Sequence, residues 1–160
     1  MADTTKKTLI VFSGEMDKIL AAFVIANGAA AMGDDVTMFF TFWGLNALRR
    51  PEKTKVSGKS PIQSMFGRMM PRGPGKLNLS HFNFAGAGPV MMKRVMRQQN
   101  VSSIEELMVT AREQGIKMIA CTMSMDVMGI KREELLDGLE YAGVATYLAE
   151  ADEANVNLFI

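Results

Sequence analysis

Thr8–Leu9–Ile10–Val11–Phe12 is an apolar run that stops abruptly at Ser13–Gly14. A short run without polar alternation predicts a strand buried on both faces, the condition of a strand in a parallel sheet. A second run, Val36–Thr37–Met38–Phe39–Phe40–Thr41–Phe42, repeats the signal. Between them lies a helical stretch from about Met16 to Met32, which Ser13 can cap and Gly33 can close. Further strands are predicted at Gly115–Ala120, running out at Cys121, at Gly143–Tyr147 and at Val156–Ile160. Helices are predicted at about Val90–Gln98, from Ser102 or Ser103 to Gly115, at Lys131–Glu140 and at Leu148–Glu153. Five strands alternating with helices imply an α/β fold with a parallel sheet covered on both faces.

The chain has 160 residues, 48% of them hydrophobic and 22% charged, which suits one globular domain. The stretch Met1–Lys7 leads straight into the first strand and carries no secretory pattern. The longest apolar stretch, Ile19–Met32, is too short for a bilayer and is interrupted by Asn27 and Gly28. The expectation is a soluble, cytoplasmic protein. A single cysteine and a single histidine (His81) leave no internal disulfide and no zinc site. Two Asn-x-Ser triplets, at Asn78 and Asn100, match glycosylation acceptors but need a secretion route.

Between Trp43 and about Ser80 the pattern breaks up, with Pro51, Pro61, Pro71 and Pro74 and one short helical stretch near Ile62–Met70. An irregular insertion of this length in a compact domain is usually functional or an arm for a partner. It is also strongly basic: Arg49 to Lys76 holds eight basic residues against one acid, Glu52, whereas Val101 to the C-terminus holds eleven acids against four bases. Arg49, Arg50, Lys53 and Lys55 are therefore candidates for a docking or subunit surface, facing an anionic ligand, an acidic partner or the acidic half of another copy. Only one aromatic residue, Phe66, lies among the charges, too few for a stacking platform, which argues against nucleic acid.

Two glycine motifs fail on inspection. Ser57–Gly58–Lys59–Ser60 has the end of a phosphate-binding loop, but Lys53 stands where the first glycine belongs and no strand precedes it. Gly86–Ala87–Gly88–Pro89 lacks the third glycine of a dinucleotide loop, since Met91 occupies that position. The fifteen methionines read chiefly as adaptable packing, and His81 is left without a role.

Cys121 is the candidate for chemistry. It sits at the carboxyl end of a predicted strand, where parallel α/β proteins bind their ligands. Loops after the first three strands would bring Ser13–Gly14, Trp43–Gly44 and Cys121–Thr122–Met123–Ser124 to one crevice, with Met125 close by. There a thiol would be open to substrate, and backbone N–H groups of the following helical turn could stabilise its thiolate. The alternative is a small apolar residue filling space.

The stretch Ala120–Cys121–Thr122–Met123–Ser124–Met125–Asp126–Val127–Met128–Gly129–Ile130 resembles the DsrE/DsrF-like sulfurtransferase family, specifically the second DsrE type, sometimes labelled peroxiredoxin-like. Ala29–Gly33 and Phe39–Leu45 support the likeness, which runs nearly end to end. The resemblance implies a three-layer α/β/α fold on a five-stranded parallel sheet, assembled as trimers or hexamers. It also implies a cysteine, here Cys121, that holds sulfane sulfur as a persulfide and passes it along a protein relay. Some relatives carry a second cysteine or a membrane segment; this chain has neither pattern. The leading expectation is thus a sulfur carrier or sulfurtransferase needing no metal or nucleotide. The alternative is a non-catalytic module for an anionic small molecule or protein partner. Thiol peroxidase chemistry is disfavoured, because no Thr-x-x-Cys motif precedes Cys121.

Overall fold

The computed structural model describes residues 4–160; Met1, Ala2 and Asp3, part of the stretch read for a leader, lie outside the described residues. Five strands form one sheet: β1 (Lys6–Val11), β2 (Asp35–Phe40), β3 (Lys117–Cys121), β4 (Glu140–Ala142) and β5 (Val156–Phe159). Their order is β4-β3-β2-β1-β5 and every neighbouring pair is parallel. Six α-helices are described: α1 (Met16–Ala31), α2 (Pro61–Met69), α3 (Ala87–Gln98), α4 (Ile104–Glu113), α5 (Thr122–Met128) and α6 (Val144–Asp152).

Sheet order decides which face each helix covers. From β1 to β4 the chain steps one strand at a time in one direction, so right-handed crossovers stack α1, α4 and α5 on the same face. From β4 to β5 it returns across the whole sheet, which sends α6 to the other face.

The side chains follow. Leu9, Val11, Met38, Phe40, Met118 and Ala120 point into the main core with Ile19 and Phe23 of α1, Met108 of α4, and Met125 and Met128 of α5. Burying a side chain such as Phe23 or Phe40 contributes about 1.5–3 kcal/mol each. The alternate residues Phe39, Ile119 and Cys121 face a second, smaller cluster closed by Tyr147 of α6. The result is a three-layer α/β/α fold.

Local signals explain most boundaries. Ser103 caps α4 with a reciprocal Ser103–Glu106 capping box, and Ser60 does the same for α2 with Gln63. Gly33, at φ 92°, turns the chain after α1. Ser13 does not cap α1: that position belongs to Glu15, which makes no side-chain cap bond.

Three predicted elements are corrected. Lys131–Glu140 is no helix but a short 3-10 turn at Arg132–Glu134 leading through Gly138 (φ 80°) into β4. The predicted strand Gly143–Tyr147 and the helix Leu148–Glu153 together give α6 instead. Propensity favoured a strand for Val144–Ala145–Thr146–Tyr147, but the sheet position is already filled by β4, and burial of Tyr147 decides the helix.

The segment after β2 is more ordered than its composition suggests. A 3-10 helix at Phe42–Leu48 buries Leu45, Ala47 and Leu48 in the main core, and Met70 and Leu77 anchor its far end.

Candidate functional site

The carboxyl ends of β3 and β4 lie side by side. These neighbours send their following helices, α5 and α6, to opposite faces of the sheet. That divergence is where open α/β sheets bind ligands. Cys121 is the last residue of β3, pairs with Ala142 at the end of β4, and is the N-cap residue of α5.

Of the two environments the sequence left open for the thiol, the structure shows the buried one. Cys121 is only 2% exposed and shares its cluster with Phe39, Ile119 and Tyr147, with Ile10, Ala142 and Ala151 packed around them. Its Sγ accepts no hydrogen bond from the N–H groups of α5. The cover over the second face is slight. Tyr147 is the one buried side chain of α6. Its ring lies 5.0 Å from that of Phe39, centroid to centroid, and its hydroxyl is 3.0 Å from Thr8 Oγ1. Sequence reasoning missed Tyr147 and Phe39 as the enclosure of Cys121, because Tyr147 was read inside a strand.

The predicted pocket residues gather at the same sheet edge, though not as one open pocket. The loops after β1 and β2 are in close contact: Gly44 N–H donates to Phe12 O at 2.9 Å. A Cβ on Gly14 would stand 2.6 Å from Trp43 O, and one on Gly44 would stand 2.1 Å from Val11 O. Only glycine permits that approach at either position. Ser13 is half-buried, Trp43 and Met123 are exposed, and Thr122 lines a separate cavity of about 360 Å³ with Asp126, Lys131 and Arg132. Ser124 is fully buried, its Oγ 2.6 Å from Thr41 Oγ1, and so ties α5 to the end of β2. Met125 packs into the main core, on the face away from Cys121. His81 is exposed, with Nδ1 3.1 Å from Ser80 Oγ.

The basic arm needs a larger correction. Arg49, expected on a docking surface, is fully buried. It donates to Gly67 O at 3.1 Å and Pro71 O at 3.3 Å and pairs with the buried carboxylate of Glu134 at 3.5 Å. Lys59 at 2.6 Å and Arg72 at 3.7 Å approach the same carboxylate. Burial opposes ionisation of Glu134, but the Lys59 hydrogen bond, the Lys131 N–H and the charges of Lys59 and Arg49 outweigh it and lower its pKa. Burial, then the like charge of Arg72, lowers that of Arg49. Arg50 reaches Asp137 at 2.7 Å, while Lys53 and Lys55 stay exposed beside a cavity of about 460 Å³. Glu134 had no signal in the sequence beyond its place in a charged run.

Among the described residues, no group of three or more His, Cys, Asp or Glu side chains could hold a metal ion, and no helix is long and apolar enough to cross a membrane.

Comparison with known proteins follows the same outline. The model of the DsrE/DsrF/DrsH-like family matches residues 4–159. The chain is 55% identical over 161 residues to the uncharacterized protein YrkE of Bacillus subtilis (strain 168), covering 100% of both. It is 36% identical over 159 residues to the sulfur carrier protein DsrE2 of Allochromatium vinosum, covering 97% of this chain and 98% of that one. Among solved structures it is similar to the ychN protein from E. coli, with a TM-score of 0.53 at 13% identity over 97% of this chain and 99% of that one. It is also similar to MTH1491 from Methanobacterium thermoautotrophicum, with a TM-score of 0.55 at 12% identity over 96% and 98%. Those two likenesses speak for the fold.

Proposed function

This chain belongs to the DsrE/DsrF/DrsH-like family, and from that premise we propose that it is a sulfur carrier whose Cys121 holds sulfane sulfur as a persulfide and hands it to a partner thiol. The observation that carries the reading is the position of the chain's only cysteine, at the end of β3 where α5 and α6 diverge to opposite faces of the sheet. The relative named a sulfur carrier in Allochromatium vinosum supports it.

In the loading step the Cys121 thiolate attacks the outer sulfur of a donor persulfide, R–S–SH. A bond forms between Sγ and that sulfur, the donor S–S bond breaks, and the donor leaves as the thiolate RS⁻. In the second step an acceptor thiolate attacks the outer sulfur of Cys121–S–SH and Cys121 leaves as thiolate. Each step exchanges one S–S bond for another, so no outside oxidant or reductant is consumed.

Burial of Cys121 makes access part of the mechanism. A donor must first displace the Tyr147 edge of α6, which protects the loaded sulfur from stray thiols between steps. The same burial favours a second reading, in which Cys121 only packs the core and the chain is a binding module.

Intact-protein mass measurement after incubation with a low-molecular-weight persulfide separates the two. Gain of one sulfur, blocked by prior alkylation and absent in Cys121→Ser, is the expected result. Gain of sulfur by Cys121→Ser, or none by the native chain, would overturn the carrier.

A further inference from the structure

The cavity beside Glu134 is lined by more positive charge than its single acid can neutralise. Lys53, Lys55, Lys59, Arg68 and Arg72 line it, and Glu134 is the one acid among its walls. That carboxylate is already committed: Oε2 accepts from Lys59 Nζ at 2.6 Å and from Lys131 N–H at 2.9 Å, and Oε1 faces Arg49 at 3.5 Å and Arg72 at 3.7 Å. One negative charge thus serves three cations at contact distance. Two of their donors are buried without a hydrogen-bond partner, Nη1 of Arg72, a residue that lines the cavity, and Nε of the fully buried Arg49 behind it. Leaving buried cationic donors unpaired is costly unless a counter-charge completes them.

We propose that this cavity binds a small molecule bearing a doubly charged tetrahedral oxyanion, a phosphate or sulfate type of group. A doubly negative group suits a wall on which Lys53, Lys55, Lys59, Arg68 and Arg72 stand against the single acid Glu134. Acceptor oxygens directed to several sides suit the mixture of guanidinium forks and lysine point charges. The volume, about 460 Å³, lies within the range of sites for small organic ligands, leaving space for more than the ion itself. Val56 and the Thr54 and Ser64 side chains line the same cavity and could contact that remainder. Lys59 therefore acts as an anion ligand through tertiary placement, although its Gly-Lys-Ser context is not a phosphate loop. The site requires nothing of Cys121, so it stands or falls apart from sulfur transfer.

Titration calorimetry on the full chain tests it, with inorganic phosphate and glycerol 3-phosphate as probes and chloride holding ionic strength constant. Saturable one-site binding is expected, weakened roughly tenfold or more by Arg72→Gln and several-fold by Arg68→Gln. Arg68 is exposed, so that second variant keeps the test valid should Arg72→Gln fail to fold. Cys121→Ser should bind as the native chain does. Equal affinity for the two probes identifies a free oxyanion as the ligand, and tighter binding of the ester identifies a phosphorylated metabolite. Absence of saturable binding with both probes, or unchanged affinity in both arginine variants, would overturn the proposal.

Discussion

The ring of Tyr147 lies 5.0 Å from the ring of Phe39, inclined at 30°, and the two close the small cluster that holds Cys121. Tyr147 is the only buried residue of α6, so its ring is the main apolar anchor of that helix on its face of the sheet. Tyr147→Ala should cost about 3 kcal/mol, at the lower end for loss of a buried aromatic ring. It should also speed alkylation of Cys121 by iodoacetamide about tenfold, read by intact mass. Tyr147→Phe removes only the hydroxyl contact to Thr8 and should cost about 1 kcal/mol with the alkylation rate nearly unchanged. Equal rates in all three proteins would place the barrier to the thiol elsewhere.

Gly44 and Gly28 should respond to alanine in opposite directions. At Gly44 a Cβ meets the backbone oxygen of Val11, which cannot move without disturbing β1, so Gly44→Ala should cost about 1–3 kcal/mol. Gly28 is exposed within α1 with no atom in the way of a Cβ, so Gly28→Ala should stabilise by about 0.5–1 kcal/mol. Urea unfolding midpoints compare the two directly.

Glu134→Gln leaves three cations around a neutral amide and should cost about 3–5 kcal/mol, the range for breaking a buried ion pair. The native carboxylate has its pKa lowered in the fold. Its contribution is present above the ordinary glutamate value, about 4.3, and is lost as pH falls through the depressed one. Acid unfolding followed by circular dichroism should therefore show native stability falling more steeply than that of Glu134→Gln below about pH 4. Parallel acid profiles would contradict the pairing.

Asp17 offers a second titration. Its burial favours the neutral acid, but the Ser80 hydroxyl at 2.5 Å and the Ser80 N–H at 2.9 Å prevail and lower its pKa. Ser80→Ala removes the hydroxyl bond and should raise the Asp17 pKa, observable by carboxyl NMR titration. A pKa unmoved in that variant would assign the shift to the backbone bond.

Much of the frame was legible in the residues themselves. The runs at Thr8–Phe12 and Val36–Phe42 announced buried parallel strands, and Gly33 and Ser103 marked helix ends, because dihedral freedom and capping act within a few residues. Cys121 could be placed at the end of a strand for the same reason. The stretch Lys131–Tyr147 was misread, since its charged and β-branched residues obey partners far away in sequence: Glu134 is held by Arg49, Lys59 and Arg72, and Tyr147 by Phe39 and Thr8.

The sequence by itself determined the alternation of strands and helices, the family likeness and the single thiol at a strand end. Only the tertiary structure decided that this thiol is enclosed, that Arg49 is internal rather than a docking residue, and that the basic arm folds around one acid. Periodicity reports which side of an element is apolar. Burial of a particular thiol or charge depends on which distant surface packs against it: α6, sent to its face by the return from β4 to β5, covers Cys121, and Gly67, Pro71 and Glu134 close over Arg49.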